Sequence, residues 1–256
     1  MKVISIALQK GGTAKTTTAV NLAANLAARK KRVLLIDMDF QANATFASGV
    51  DSHSLTNSLY NVLTPDHQYH CEIQNALIHT DYYDIVPADK DVVDLPLELK
   101  SATALKDQFN NIRSTYDYVI IDCPPALNII TLNALVASDH VIIPAEPKPF
   151  NFTGLVDFAE TIQAVQTNYN HKLAILGILL VKYNRRTNLA KTMQDTIADY
   201  AKQLQTALYT ATIREATAVP ESQLAQKPLL KYAPSANPTI DYKAFTTETL
   251  KRLGDL

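Results

Sequence analysis

The chain has 256 residues and 47% hydrophobic content, with 24 Lys and Arg against 25 Asp and Glu, a net charge of −1. This is enough to bury a full core, and the lack of a linker, repeat or low-complexity run points to one domain over residues 1–256. Near-neutral charge excludes polyanion binding by bulk charge, no apolar run is long enough to span a bilayer, and Cys71 and Cys123 lack the spacing of a disulfide framework or zinc site.

The first strand-like run, Val3 to Leu8, begins where a signal peptide would otherwise lie, so the expected location is cytoplasmic. It leads into Gln9-Lys10-Gly11-Gly12-Thr13-Ala14-Lys15-Thr16-Thr17 and an alanine-rich helix from Thr16 to about Arg29, with Val20, Ala23, Leu26 and Ala27 on one face. Strand, glycine turn and helix N-terminus together form the context of a phosphate-binding loop, in which backbone N–H groups and the positive helix end face one point. Gly11 and Gly12 admit phosphate oxygens close to the backbone, Lys15 has the reach of the outer phosphates, and Thr16 stands where a loop hydroxyl ligates Mg²⁺. Gln9 and Ala14 replace the glycines of G-x-x-x-x-G-K-[ST], and the Ala14 methyl tightens the loop wherever the backbone needs positive φ.

Further strands are expected at Val33 to Asp39, Tyr83 to Pro87, Tyr118 to Asp122, Val141 to Pro144, Ile175 to Val181 and Leu208 to Ile213, with helical stretches between them. The fold class is therefore α/β: a doubly wound, mostly parallel sheet of roughly five to eight strands with helices on both faces. Ligands in such sheets bind beyond the carboxyl ends of the strands. Asp37, Asp39 and Asp122 fall on that rim beside the loop, and carboxylates next to a triphosphate imply an intervening cation. Thr16, Asp39 and Asp122 are the candidate Mg²⁺ residues, with Asp122, which closes the apolar run Tyr118 to Ile121, expected to act through water.

Between these segments, His53, His67, His70 and His79 have irregular spacing and read as scattered surface residues, and Asp81, Asp84, Asp89, Asp91 and Asp94 as a solvated acidic patch. In the second half, no acid lies between Glu160 and Asp195, while Lys172, Lys182, Arg185, Arg186 and Lys191 supply positive charge. Ser222 to Ile240 is likewise acid-free and carries Lys227 and Lys231, so a local basic surface is expected despite the neutral total.

Several of these segments carry a family resemblance. Lys10-Gly11-Gly12-Thr13-Ala14-Lys15-Thr16-Thr17 resembles the deviant Walker A sequence K-G-G-x-G-K-T-T of the ParA/MinD ATPases. Asp37 to Thr45 resembles their switch I, D-x-D-P-Q-x-N-x-T, with Phe40 at the proline position, and Asp122-Cys123-Pro124-Pro125 matches switch II. Tyr183 to Leu189 is similar to a segment of partition ATPases whose R-T-N-L arginine acts on DNA, and Arg186 is the matching residue, with Arg185 beside it.

The resemblance implies ATP/ADP and Mg²⁺ as cofactors, held at residues Lys10 to Thr17. It also implies a catalytic set of Lys10, Lys15, Asp39 and Asp122, in which Lys10 reaches the partner subunit's nucleotide across a homodimer and Asp39 positions the attacking water. Ile213-Arg214-Glu215-Ala216 aligns with the family's I-P-R-N, leaving Arg214 as a candidate for nucleotide or DNA, Ala216 at the adenine-side position and Asn184 as a second adenine candidate. The function implied is a slow ATPase switch for plasmid or chromosome partition. It would dimerise on ATP, bind nonspecific DNA on the nucleoid and respond to a ParB-type centromere-binding partner. A MinD-like membrane-surface ATPase is the alternative; the segment Phe245 to Leu256 has few bulky apolar residues, so stable membrane association is not expected. An iron–sulfur carrier ATPase would need a set of ligand cysteines beyond Cys71 and Cys123.

Overall fold

A computed structural model describes residues 1–256. Seven strands, β1 (Lys2–Ile6), β2 (Val33–Asp37), β3 (Ile78–His79), β4 (Asp84–Val86), β5 (Tyr118–Asp122), β6 (His140–Ala145) and β7 (Ala174–Leu180), form one sheet in the order β3-β4-β2-β5-β1-β6-β7. All pairings are parallel except β3 with β4. Every residue of β2 and β5 is buried, and Val33 to Ile36 and Val119 to Ile121 are unbroken aliphatic runs because both sheet faces are covered.

Side-chain alternation divides the core into two layers. Val3, Leu34, Ile36, Val119 and Ile121 face Leu135, Leu155 and Phe158 from the helices Ile129–Ala137 and Pro149–Asn168. Ile4, Ile6, Leu35 and Ile120 face Leu22 and Leu26 of the helix Lys15–Ala27 and Tyr242, Phe245 and Leu250 of the helix Asn237–Arg252. This second layer fixes the helix that follows the glycine loop against the sheet. The Asn237–Arg252 helix has its aromatic residues inside the core, and Lys2 holds Asp255 at 2.7 Å. No helix is long and apolar enough to cross a membrane.

The expected strand over Leu208 to Ile213 forms only a single bridge, Leu208 to Ile178. The segment still runs along β7, with Tyr209 N–H donating to Ile178 O at 2.9 Å and Ile213 N–H to Leu180 O at 2.8 Å. Regular pairing is interrupted because the Thr210 and Ala211 N–H groups donate to the Glu248 carboxylate, both at 3.0 Å, and the Arg252 guanidinium takes the Leu176 carbonyl; that guanidinium also donates to Ala207 O and Leu208 O and stacks on the Tyr209 ring, 3.9 Å from its centroid. Gly177 makes room for that stack, since a Cβ there would lie 2.3 Å from Arg252 Nη1.

Candidate functional site

Two left-handed residues turn the chain from β1 into its helix: Gly12 at φ 76 and Ala14 at φ 58, ψ 29. Ala14 is the helix N-cap but offers no side-chain cap, and no acidic residue sits in the first turn. None of the backbone N–H groups from Gly11 to Thr17 has a hydrogen-bond partner in the chain, so consecutive donors and the helix dipole are free for an anion. Lys15 is buried in the loop and its Nζ donates to Lys10 O at 2.7 Å. Burial lowers its pKa, against the pull of Asp122, Cys123 and Asp39. The Lys10 ammonium points elsewhere and donates to Phe150 O at 3.0 Å, at the start of the Pro149–Asn168 helix.

Parallel register brings the carboxylates to the same rim, with Asp37 opposite Asp122 and Asp122 opposite Ile6. Asp37 is fully buried and accepts hydrogen bonds from Thr45 N–H and Thr45 Oγ1, both at 2.8 Å, and from Asp39 N–H at 3.2 Å. Burial still pushes its carboxyl up to about 6. Asp122 is also fully buried, and neither of its carboxylate oxygens has a partner. Burial and the neighbouring Asp37 raise its pKa well above the ordinary range, against the Thr16 hydroxyl and the Lys15 ammonium. An orphaned buried carboxylate beside a lysine, a threonine hydroxyl and free amides fits a hydrated divalent cation carried in with a phosphate. Asp39 is buried at the cleft wall and Gln41 N–H donates to its Oδ1 at 3.0 Å. No three His, Cys, Asp or Glu side chains close into a cage; Mg²⁺ sites built mostly from substrate phosphates and water do not require one.

These groups open into a cleft of about 1080 Å³ whose far wall is Ile213 to Thr217, Val219, Pro220 and Gln223. Arg214 and Ala216 line it, whereas Asn184 does not; its Oδ1 instead accepts from Arg186 N–H at 3.0 Å. The Arg214 guanidinium is engaged by Asp241, with Nη2 to Oδ1 at 2.7 Å and Nε to Oδ2 at 2.9 Å. Arg185 and Arg186 are both exposed, just before the helix Asn188–Gln203.

Three contributors to the site escaped the sequence reading. Lys182, counted there with the basic segment, turns back to donate to Gly12 O at 2.7 Å and pairs with Glu146 at 2.6 Å. Glu146, at the carboxyl end of β6, was accessible through the same rim rule that identified Asp122. Gln223 donates to Thr17 Oγ1 at 3.0 Å across 206 residues, a contact with no local sequence signal.

A family model described as an AAA domain matches residues 1–175. The chain is 35% identical to the chromosome partitioning protein ParA of Myxococcus xanthus, over 98% of this chain and 88% of that one. It is 35% identical to the sporulation initiation inhibitor protein Soj of Bacillus subtilis, over 91% and 92%. Among solved structures, the cobyrinic acid a,c-diamide synthase of Mycobacterium smegmatis with bound ADP and magnesium superposes with a TM-score of 0.83 at 30% identity, covering 99% of this chain and 96% of that one. The cell division ATPase MinD of Pyrococcus furiosus superposes at 0.79 with 25% identity, covering 98% of each. The chain belongs to the ParA/Soj group of P-loop ATPases within the ParA/MinD superfamily.

Proposed function

We propose that the protein is an ATP-dependent switch ATPase for plasmid or chromosome partition, working as a homodimer on nonspecific DNA and stimulated by a ParB-type partner. The observation that carries the ATPase reading is the orphaned, fully buried Asp122 carboxylate beside Lys15 and a run of unpaired amides. Bound Mg²⁺ supplies charge neutralisation at the outer phosphates. The chain's own residues divide the remaining work. Lys15 exchanges the Lys10 carbonyl for phosphate oxygens, the Gly11 to Thr17 amides hold the phosphates in place, and Asp39, anchored by Gln41 N–H, orients the attacking water. The wall from Ile213 to Gln223 takes the nucleoside. Lys10 leaves Phe150 O to complete the site of a second copy, and the resulting dimer joins two Arg185–Arg186 surfaces for phosphate contacts.

Partition rather than membrane positioning is favoured by the ParA and Soj relatives and by the Asn237–Arg252 helix, whose Tyr242, Phe245 and Leu250 are committed to the core. DNA binding and oligomeric state, measured with ATP, ADP and no nucleotide, test the proposal. ATP-dependent DNA binding is expected in the wild type, abolished in Lys15→Ala, retained or prolonged in Asp39→Ala, and weakened without loss of the dimer in Arg186→Ala. DNA binding indifferent to nucleotide overturns the switch.

A further inference from the structure

Lys182 is one of six non-glycine residues with positive φ, at 50°, and lies two residues beyond the end of β7 at Leu180. A left-handed lysine is unfavourable by about 1 kcal/mol and persists where surrounding contacts over-determine it. Here the contacts are specific. Val181 N–H donates to Ala145 O at 3.0 Å and Tyr183 N–H to Ile213 O at 2.9 Å, so the backbone is held on both sides. Between them the side chain reaches into the cleft, where Nζ lies 2.6 Å from Glu146 Oε1 and 2.7 Å from Gly12 O. Lys148 takes the other oxygen of Glu146 at 2.7 Å. Glu146 itself is only 6% exposed, and although burial opposes ionisation, the two ammonium groups hold its carboxyl below the usual range.

The acceptor matters because of where it sits. Gly12 is the left-handed glycine of the phosphate loop, the residue with most freedom to rotate its peptide. The Gly12–Thr13 peptide is trans, so its C=O and N–H point in opposite directions. Fixing the carbonyl toward Lys182 fixes the Thr13 N–H away from it, and that N–H is one of the unpaired donors of the cradle.

We propose that Lys182, oriented by Glu146, is a positioning residue that locks the Gly12–Thr13 peptide and thereby presets the phosphate loop for the nucleotide. The proposal rests on the nucleotide-binding reading above. It removes Lys182 from the DNA surface, assigns Glu146 a role apart from the metal, and makes the loop's shape depend on a contact from β7, the strand that leads into Arg185 and Arg186.

A double-mutant cycle tests it. Binding of a fluorescent ATP analogue with Mg²⁺ is measured by titration for the wild type, Lys182→Met, Glu146→Gln and the double variant, with melting of each nucleotide-free protein recorded alongside. Lys182→Met is expected to weaken binding roughly tenfold, the effect of losing one charge-assisted hydrogen bond. In the Glu146→Gln background, where the ammonium is no longer aimed at Gly12, the same substitution is expected to cost less than about threefold. Three results overturn the proposal. An equal or larger loss in that background makes Lys182 a direct phosphate ligand. Unchanged affinity with lowered melting temperature makes the contact merely structural. Unchanged affinity and melting leave the lysine without a role. Wild-type protein that binds no analogue sinks the nucleotide reading instead, and Lys15→Ala, which must abolish binding, verifies that the signal comes from this loop.

Discussion

Asp37 and Asp122 stand directly opposite each other at the ends of adjacent parallel strands, both fully buried. Asp37 is compensated by three donors and Asp122 by none. Paired burial gives the site a definite pH signature. Asp37 has its carboxyl raised from 3.8 to about 6, so the folded state binds a proton that the unfolded state releases, and its contribution to stability falls as pH rises across that window. The half-buried His140, whose pKa is lowered by desolvation, works in the opposite direction on acidification. The clean readout is therefore the melting difference between wild type and Asp37→Asn without nucleotide. The variant's relative stability is expected to be greater at pH 7.5 than at pH 5 by about 1.4 kcal/mol. A difference independent of pH contradicts the assignment.

Asp122→Asn separates stability from function at the same place. Replacing an unpaired buried carboxylate with a neutral amide removes a desolvation cost, so the nucleotide-free variant is expected to melt higher, by about 1 kcal/mol or more, while losing hydrolysis. Calorimetry beside an ATPase assay checks both, and a variant that melts lower would show that the carboxylate has a stabilising partner in the folded chain.

Ala14 occupies left-handed space at φ 58, where a Cβ is unfavourable. Ala14→Gly relieves that strain at the cost of a more flexible unfolded chain. A net gain of about 0.5 kcal/mol is expected, read as a small rise in melting temperature with nucleotide affinity retained. A clear loss of stability would mean that the alanine methyl contributes packing worth more than the strain.

Arg186 and Arg214 were grouped by sequence but are distinguished by their partners. The exposed Arg186 side chain is free for phosphates, so Arg186→Ala is expected to weaken DNA binding and lower the slope of log affinity against log salt by about 1 per site. Arg214 is tied to Asp241, which is 11% exposed, so Arg214→Ala is expected to destabilise the fold by about 1–3 kcal/mol by removing both guanidinium donors and leaving that carboxylate only the residue 214 backbone N–H. Salt-dependent binding and thermal melting on the two variants tell them apart; exchanged phenotypes would reverse the assignment.

The parallel sheet and its phosphate loop were legible because they rest on local patterns: continuous apolar strands, a glycine turn, and aspartates at strand ends. What escaped depends on distance in sequence. Lys182 reads as one more surface cation until β7 is placed beside the loop, 170 residues away. Leu208 to Ile213 has the composition of a strand, yet its Thr210 and Ala211 N–H groups donate to Glu248, 38 and 37 residues away, instead of to β7, and Arg252 takes the Leu176 carbonyl. Local propensity carries no information about a competitor arriving from the C-terminal helix.

That same arginine has a consequence for the whole molecule. β7 ends the sheet, and a terminal strand is ordinarily a template on which a foreign strand can grow. Arg252, the Tyr209 ring and the extended Leu208 to Ile213 segment close this margin from within the chain. A Cβ at Gly177 would displace them. The tolerance of that single glycine position thus bears on whether the protein stays dispersed at high concentration, independently of whether its nucleotide chemistry survives.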